Sequence, residues 1–319
     1  MTVTIDVAGG PMGGAARFRA ELYRYLDDTG RADVRVIGAE RRVGPSWLVR
    51  REVLTSARTR RVALNNVGFV RPGGERWTLV ANALHFLADD EAARLDPALL
   101  TAMRRQGSVV RAAARRSEVV VAPCTSMAER IARAMPDVTG RVAVRMHPIG
   151  ANPVPKQASG NFILSPVIFE PYKEMVPRLR EWVAAVDAHL DPEVRLVVTA
   201  TPADLPTDLA CHPRISCTGQ LPHDELCQLW ARSRAVFFPP GLESFGFPLA
   251  EARAYGQPVI ARDTEQNREI AGGALCGFTV GDADSLRQAT DTALATQVAP
   301  DPEPFSPRAY FDWMLGPGA

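Results

Sequence analysis

Short apolar runs alternate with amphipathic helical stretches along this chain, and the alternation occurs twice. "VTIDVAGG", "ADVRVIG", "RWTLVANALHF", "SEVVVAPC" and "GRVAVRM" read as strands. Between them, "PMGGAARFRAELYRYLDDTG" sets Phe18, Leu22, Tyr25 and Leu26 at helical spacing, and "TSMAERIARAM" follows cap residues. "HPIGANPVPKQASGN", rich in proline, glycine, serine and asparagine, breaks the pattern and marks a domain boundary; His147 turns the chain into it. The alternation then restarts. "NFILSPVIF", "VRLVVTAT", "RISCTG", "RAVFFPP", "QPVIARD" and "GFTV" are the strands, with helices in "PRLREWVAAVDAHL", "HDELCQLWARS" and "DADSLRQATDTAL". A strand–helix alternation of this kind buries a parallel sheet between two helical layers. The fold class is therefore α/β, with two Rossmann-like doubly wound domains: residues 1–155 and 156–299, then a segment, 300–319. At 319 residues the chain exceeds what one core usually supports. The closing "RAYFDWML" follows the proline-rich "APDPEPFSP" and is too aromatic to stay in water, so it is expected to cross back and pack on the N-terminal domain.

A hydrophobic share of 46% and a charged share of 23% exclude a disordered chain, and no apolar run is long enough for a membrane span. The N-terminus lacks the basic and apolar regions of a signal peptide. Five cysteines (Cys124, Cys211, Cys217, Cys227, Cys276) form no CxxC pair and are expected as small buried thiols, which fits a cytoplasmic protein. The net charge of +1 hides an asymmetry. Residues 1–155 carry 24 arginines, no lysine and 15 acidic groups, hence +9; the remainder carries 13 basic and 21 acidic groups, hence −8. Two lobes facing across a cleft would explain this, and so would arginine-rich solvated faces. The arginines of "SWLVRREVLTSARTRR" fall on several sides of a helical wheel and leave no clean apolar face. A peripheral membrane contact therefore has no support in the pattern, and no nucleic-acid motif is present.

"PPGLESFGFPLAEARAYGQPVIA", Pro239 to Ala261, places Glu243 and Glu251 among apolar and turn residues. Pro248 suits the first turn of a helix and Gly256 its end, so Glu243 falls on a loop and Glu251 in the first helical turn. A helix N-terminus at the carboxyl edge of a parallel sheet readily binds phosphate, and Ser244-Phe245-Gly246 leaves backbone room for one. Sugar hydroxyls would satisfy nearby carboxylates. The other reading is that Glu251 complements the helix dipole and Glu243 is a surface turn residue.

This stretch resembles the signature of the family 4 retaining glycosyltransferases of GT-B fold, in which two glutamates flank seven residues. The flanks "CTGQLPHDELCQLWARSRAVFFP" and "REIAGGALCGFTVGDADSLRQAT" are similar too. The resemblance covers the C-terminal half closely and the N-terminal half in outline. It implies a retaining, metal-independent hexosyltransferase without cofactor, in which the C-terminal domain holds a nucleoside-diphosphate sugar. The acceptor, a small molecule, glycan or lipid-linked group, would then lie against the N-terminal domain across the cleft. By the same resemblance Glu251 would bind the ribose and Glu243 the donor sugar. Ser244, Phe245 and Gly246 would line the diphosphate, and Lys173 in "FEPYKEM" would neutralise the leaving group. Backbone near Gly219 and Gln220 would meet the base. The family's Gly-Arg, six and five residues before the lysine, is replaced here by Val167-Ile168.

In the N-terminal half, Gly9, Gly10, Gly13 and Gly14 make a loop that is neither a dinucleotide fingerprint nor a P-loop. It is a flexible turn, or, by the resemblance, the loop that closes over diphosphate and acceptor, with Gly13 and Gly14 against the donor. His85 stands where the family often has an active-site histidine, with Asn82 in the same loop; the alternative is a structural histidine. Asp282 and Asp284 imitate a metal-binding Asp-x-Asp but open a helix beside Ser285, so capping explains them. The histidines lack metal-ligand spacing and no metal is expected. Two other functions stay open: a non-hydrolysing sugar-nucleotide epimerase of similar fold, and a non-catalytic nucleotide-sugar binding protein.

Overall fold

The computed structural model describes residues 2–10, 13–151, 154–157 and 160–316. It divides into two compact units, one of Met1–Gly150 with Phe305–Ala319, the other of Ala151–Pro304. Part of the domain-boundary stretch lies outside the described residues.

In the first unit six parallel strands, β1 (Val3–Asp6), β2 (Val34–Ile37), β3 (Arg60–Ala63), β4 (Arg76–Leu79), β5 (Val119–Ala122) and β6 (Val142–Val144), stand in the order β2-β1-β3-β4-β5-β6. Val3 is opposite Val34 on one side and Arg60 on the other, so the direction of winding reverses between β1 and β3. Val3, Ile5, Val62, Leu79 and Val121 meet Phe18, Leu22 and Tyr25 of the helix Gly13–Thr29 in one apolar cluster. Tyr310, Phe311, Met314 and Leu315 of the helix Pro307–Leu315 complete that cluster, and the Tyr25 hydroxyl donates to Asp312 Oδ1 at 2.6 Å.

β3 and the preceding helix Pro45–Leu54 were hidden in the arginine-rich run. Two of its arginines point inward. Arg51 Nη1 meets Asp6 Oδ2 at 2.5 Å, its Nη2 donates to the carbonyls of Val67 and Gly68, and both charged groups are buried. Arg61 is buried too, bonding the carbonyls of Arg71 and Gly73 beside the Phe69 ring. Burying a guanidinium is costly unless its donors find acceptors. Backbone carbonyls take Nη2 of both arginines, while Nε of each and Nη1 of Arg61 have no hydrogen-bond partner among the described residues.

The second unit repeats the plan with β7 (Phe162–Ser165), β8 (Arg195–Val198), β9 (Ile215–Cys217), β10 (Ala235–Phe238), β11 (Val259–Arg262) and β12 (Leu275–Phe278). All pairs are parallel, in the order β12-β11-β10-β7-β8-β9. Read from β7, that is the 3-2-1-4-5-6 order of a dinucleotide-binding sheet, with its switch point between β7 and β10. The last strand begins two residues before the expected "GFTV" and ends at Phe278, where the turn into the Asp282 cap begins. Ile163, Leu196, Phe237, Ile260, Trp182 and Leu249 are fully buried between strands and helices.

Among the described residues no helix is long and apolar enough to cross a membrane, and no cluster of His, Cys, Asp or Glu could hold a metal ion. Asp282 caps the helix Ala283–Ala295, accepting from Ser285 N at 2.9 Å. Cys124, Cys227 and Cys276 are buried, but Cys217 is only half-buried and Cys211 is exposed, so the expectation of five buried thiols fails at these two.

Candidate active site

Ligands of an open parallel sheet bind at its carboxyl edge where the winding reverses. In the second unit two loops leave that edge, one from Ser165 at the end of β7 and one from Phe238 at the end of β10. The first runs through Val167 and Ile168 into the 3-10 turn Pro171–Lys173 and then the helix Met175–Val186. The second, Pro239–Gly246, ends at the helix Phe247–Tyr255. Across them Lys173 Nζ meets Glu243 Oε1 at 2.7 Å, with both side chains largely sheltered. Gln266 Nε2 donates to the Glu243 carbonyl at 3.1 Å and steadies the loop from the next helix.

Gly246 takes φ 83, the left-handed region open to glycine, and lets the helix begin at Phe247 with Pro248 at a position that needs no N–H. Ser244 leads into this turn and the Phe245 ring is buried, 5.4 Å from Phe247. Because the helix opens so early, Glu251 sits in its second turn, not the first as the sequence suggested. It is 4% exposed, too deep for a surface residue that merely offsets the helix dipole. Gly256, at φ 69, ends the helix by donating to the Ala252 carbonyl.

Tyr172 adjoins the lysine. Burial, and then the carboxylates of Glu243 and Glu170, push its phenol up to about 12, so it remains a neutral donor at physiological pH. Gly219 follows β9 at φ 71, its N–H donating to the Ala200 carbonyl, and Gln220 beside it is exposed. Lys173, Glu243 and the Ser244–Gly246 turn are therefore gathered at the switch point, while Gly219 and Gln220 lie along the same edge toward β9.

Gly13, Gly14, Asn82 and His85 belong to the first unit. Gly13, at φ 73, opens the first helix, and Arg19 Nη2 donates to the Gly10 carbonyl at 2.6 Å, tying down the loop that follows β1. Asn82 accepts from Leu84 N at 3.1 Å and caps the 3-10 turn Ala83–His85. His85 is buried; desolvation holds its imidazole below the ordinary histidine value, and Gln106 Oε1 lies 3.5 Å from Nε2. Sequence reasoning missed Arg262, Glu174 and Tyr172. The charge that closes the apolar run "QPVIARD" is the signal that would have pointed to Arg262.

Residues 176–310 match the family model for glycosyl transferases group 1. No curated protein sequence matches the chain significantly. Among solved structures, a sucrose-phosphate synthase from Thermosynechococcus elongatus is 15% identical. The likeness covers 99% of this chain and 96% of that one, with a TM-score of 0.63. A UDP-forming α,α-trehalose-phosphate synthase from Burkholderia vietnamiensis is 11% identical over 97% and 95%, with a TM-score of 0.63. Anabaena HepE, solved with UDP and glucose, is 15% identical over 98% and 95%, with a TM-score of 0.61. The fold is thus that of GT-B glycosyltransferases, and the family match supports glycosyl transfer.

Proposed function

We propose that the protein is a retaining glycosyltransferase that moves a hexose from a nucleoside-diphosphate sugar to an acceptor in the cytoplasm. The observation that carries this reading is the Lys173–Glu243 pair at the switch point, on loops that also hold the turn Ser244–Gly246. Breaking a sugar–phosphate bond builds negative charge on the diphosphate, which an ammonium and the N–H groups at a helix start stabilise without a metal. The same event leaves positive charge on the sugar ring, where the Glu243 carboxylate is the group at hand. Glu251 takes the ribose hydroxyls, the backbone at Gly219 and Gln220 the base, and the first unit the acceptor, with His85 as its contribution; Gly13 and Gly14 are assigned to the donor. The departing diphosphate needs no metal ion in this scheme.

Incubation with a panel of nucleotide sugars and acceptors tests the reading. The expected products are free nucleoside diphosphate and a glycoside with the donor's anomeric configuration, formed equally well in excess EDTA. An isomerised donor without acceptor would make the protein an epimerase, and binding without turnover would make it a nucleotide-sugar binding protein. A glycoside of opposite anomeric configuration would refute retention.

A further inference from the structure

Among the described residues, Lys173 and Glu243 form one of two ion pairs that tie the loop after β7 to other segments at the carboxyl edge of the second sheet. The other begins at the next residue. Glu174 takes φ 55, a left-handed conformation uncommon for a residue with a side chain, and its Oε2 accepts from Arg262 Nη2 at 2.8 Å. Arg262 is the last residue of β11, next to β10, and is held by a second bond from Nε to the Pro239 carbonyl at 2.7 Å. Its guanidinium lies against Gly241, where a Cβ would overlap it, so the glycine leaves the space that the arginine fills. Two cations, Lys173 and Arg262, thus stand beside the switch point, each against its own carboxylate, with Glu170 a further carboxylate on the β7 loop. On the β7 side, Ile168 offers no charge.

We propose that Arg262 is the second cation of the diphosphate site and that Glu174 holds its place until donor arrives. This rests on the donor reading above. A diphosphate brings two negative charges to an edge whose cations are already occupied. Lys173 then exchanges Glu243 for phosphate, and Arg262 exchanges Glu174, while its Nε bond to Pro239 keeps the guanidinium in place. Glu174 is the more exposed partner of its pair, with a side chain 40% accessible against 15% for Arg262, so water can take up its charge when it is released.

Titration calorimetry with UDP, GDP and ADP, each beside its monophosphate, tests the exchange. For the base that wild type binds, Arg262→Gln should weaken the diphosphate roughly ten- to a hundredfold, the range of a charge-assisted bond, and the monophosphate far less. Glu174→Gln should tighten the diphosphate several-fold at low salt, because the competing carboxylate is gone. A purely structural pair predicts the opposite sign. Equal losses for both ligands in Arg262→Gln, or weaker diphosphate binding in Glu174→Gln, would overturn the proposal while leaving the donor reading intact. Should Arg262→Gln not fold, Glu174→Gln still decides by its sign. If wild type binds none of the three diphosphates, the donor reading itself fails, and this proposal with it.

Discussion

Glu243 and Glu251 occupy different surroundings, one on a loop against Lys173 and one deep in a helix. The contrast sets separate kinetic expectations. Ribose does not react, so a Glu251 contact to it is the same in ground and transition states, and Glu251→Gln should chiefly raise the donor KM, by about ten- to a hundredfold. Glu243 faces charge that appears only as the bond breaks, so Glu243→Gln should lower kcat with little change in donor KM. Steady-state kinetics of the two variants distinguish these roles, and wild-type parameters in both would remove the carboxylates from the site. Lys173→Ala should cost nucleoside diphosphate binding about 1.5–3 kcal/mol and monophosphate binding much less; equal losses by calorimetry would place the lysine away from the second phosphate. The roles of these residues came from the family resemblance. The loop and helix around the two glutamates were legible from the prolines and glycines that bound them, with Glu251 a turn later than expected. Arg262 and Glu174 were not, since their partners lie 88 positions apart and pair only when β7 and β11 are both in the sheet.

At the scale of elements, the helix Pro45–Leu54 shows what patterning leaves out. Its wheel looked mixed because Arg51 is an interior residue, pinned to Asp6 at the end of β1, with Asn65 Nδ2 and Trp47 Nε1 also donating to that carboxylate. Arg51→Leu would leave Asp6 charged and buried without its cation, and should destabilise the fold by about 3–5 kcal/mol. Denaturant titration measures this; a loss under 1 kcal/mol would mean that water reaches the site. Arginine at the head of β3 concealed a strand for the same reason, because hydropathy counts a charge as exposed whatever it bonds. The apolar strands β1, β5, β7, β10 and β11 had no such ambiguity, and their positions could be read directly. Strand order could not be, since it depends on which edges the helices cover.

On the scale of the whole molecule, the helix Pro307–Leu315 lies about the rings of Phe18 and Tyr25, and His147 joins them edge-on to Phe18 at 5.3 Å. Burial pushes the His147 imidazole down to about 3. An unfolded imidazole takes its proton near 6.5, so from there down to about 3 the unfolded chain binds the additional proton. Stability is complete above that window and falls as pH drops through it. His147→Gln should remove about 2 kcal/mol of the stability lost between pH 6.5 and 5, visible as a flatter pH dependence of urea midpoints. Superimposable curves would show that the folded imidazole already titrates normally.

The first sheet's apolar cluster also draws on residues that follow the entire second unit. A ribosome adding about 5–20 residues per second needs roughly eight to thirty seconds to cross the intervening chain. Throughout that interval the nascent first sheet lacks the cover that Tyr310 and Phe311 give to Phe18. The second unit, whose strands all lie within itself, can close as it emerges. Birth order and folding order are therefore reversed: the half made first is finished last.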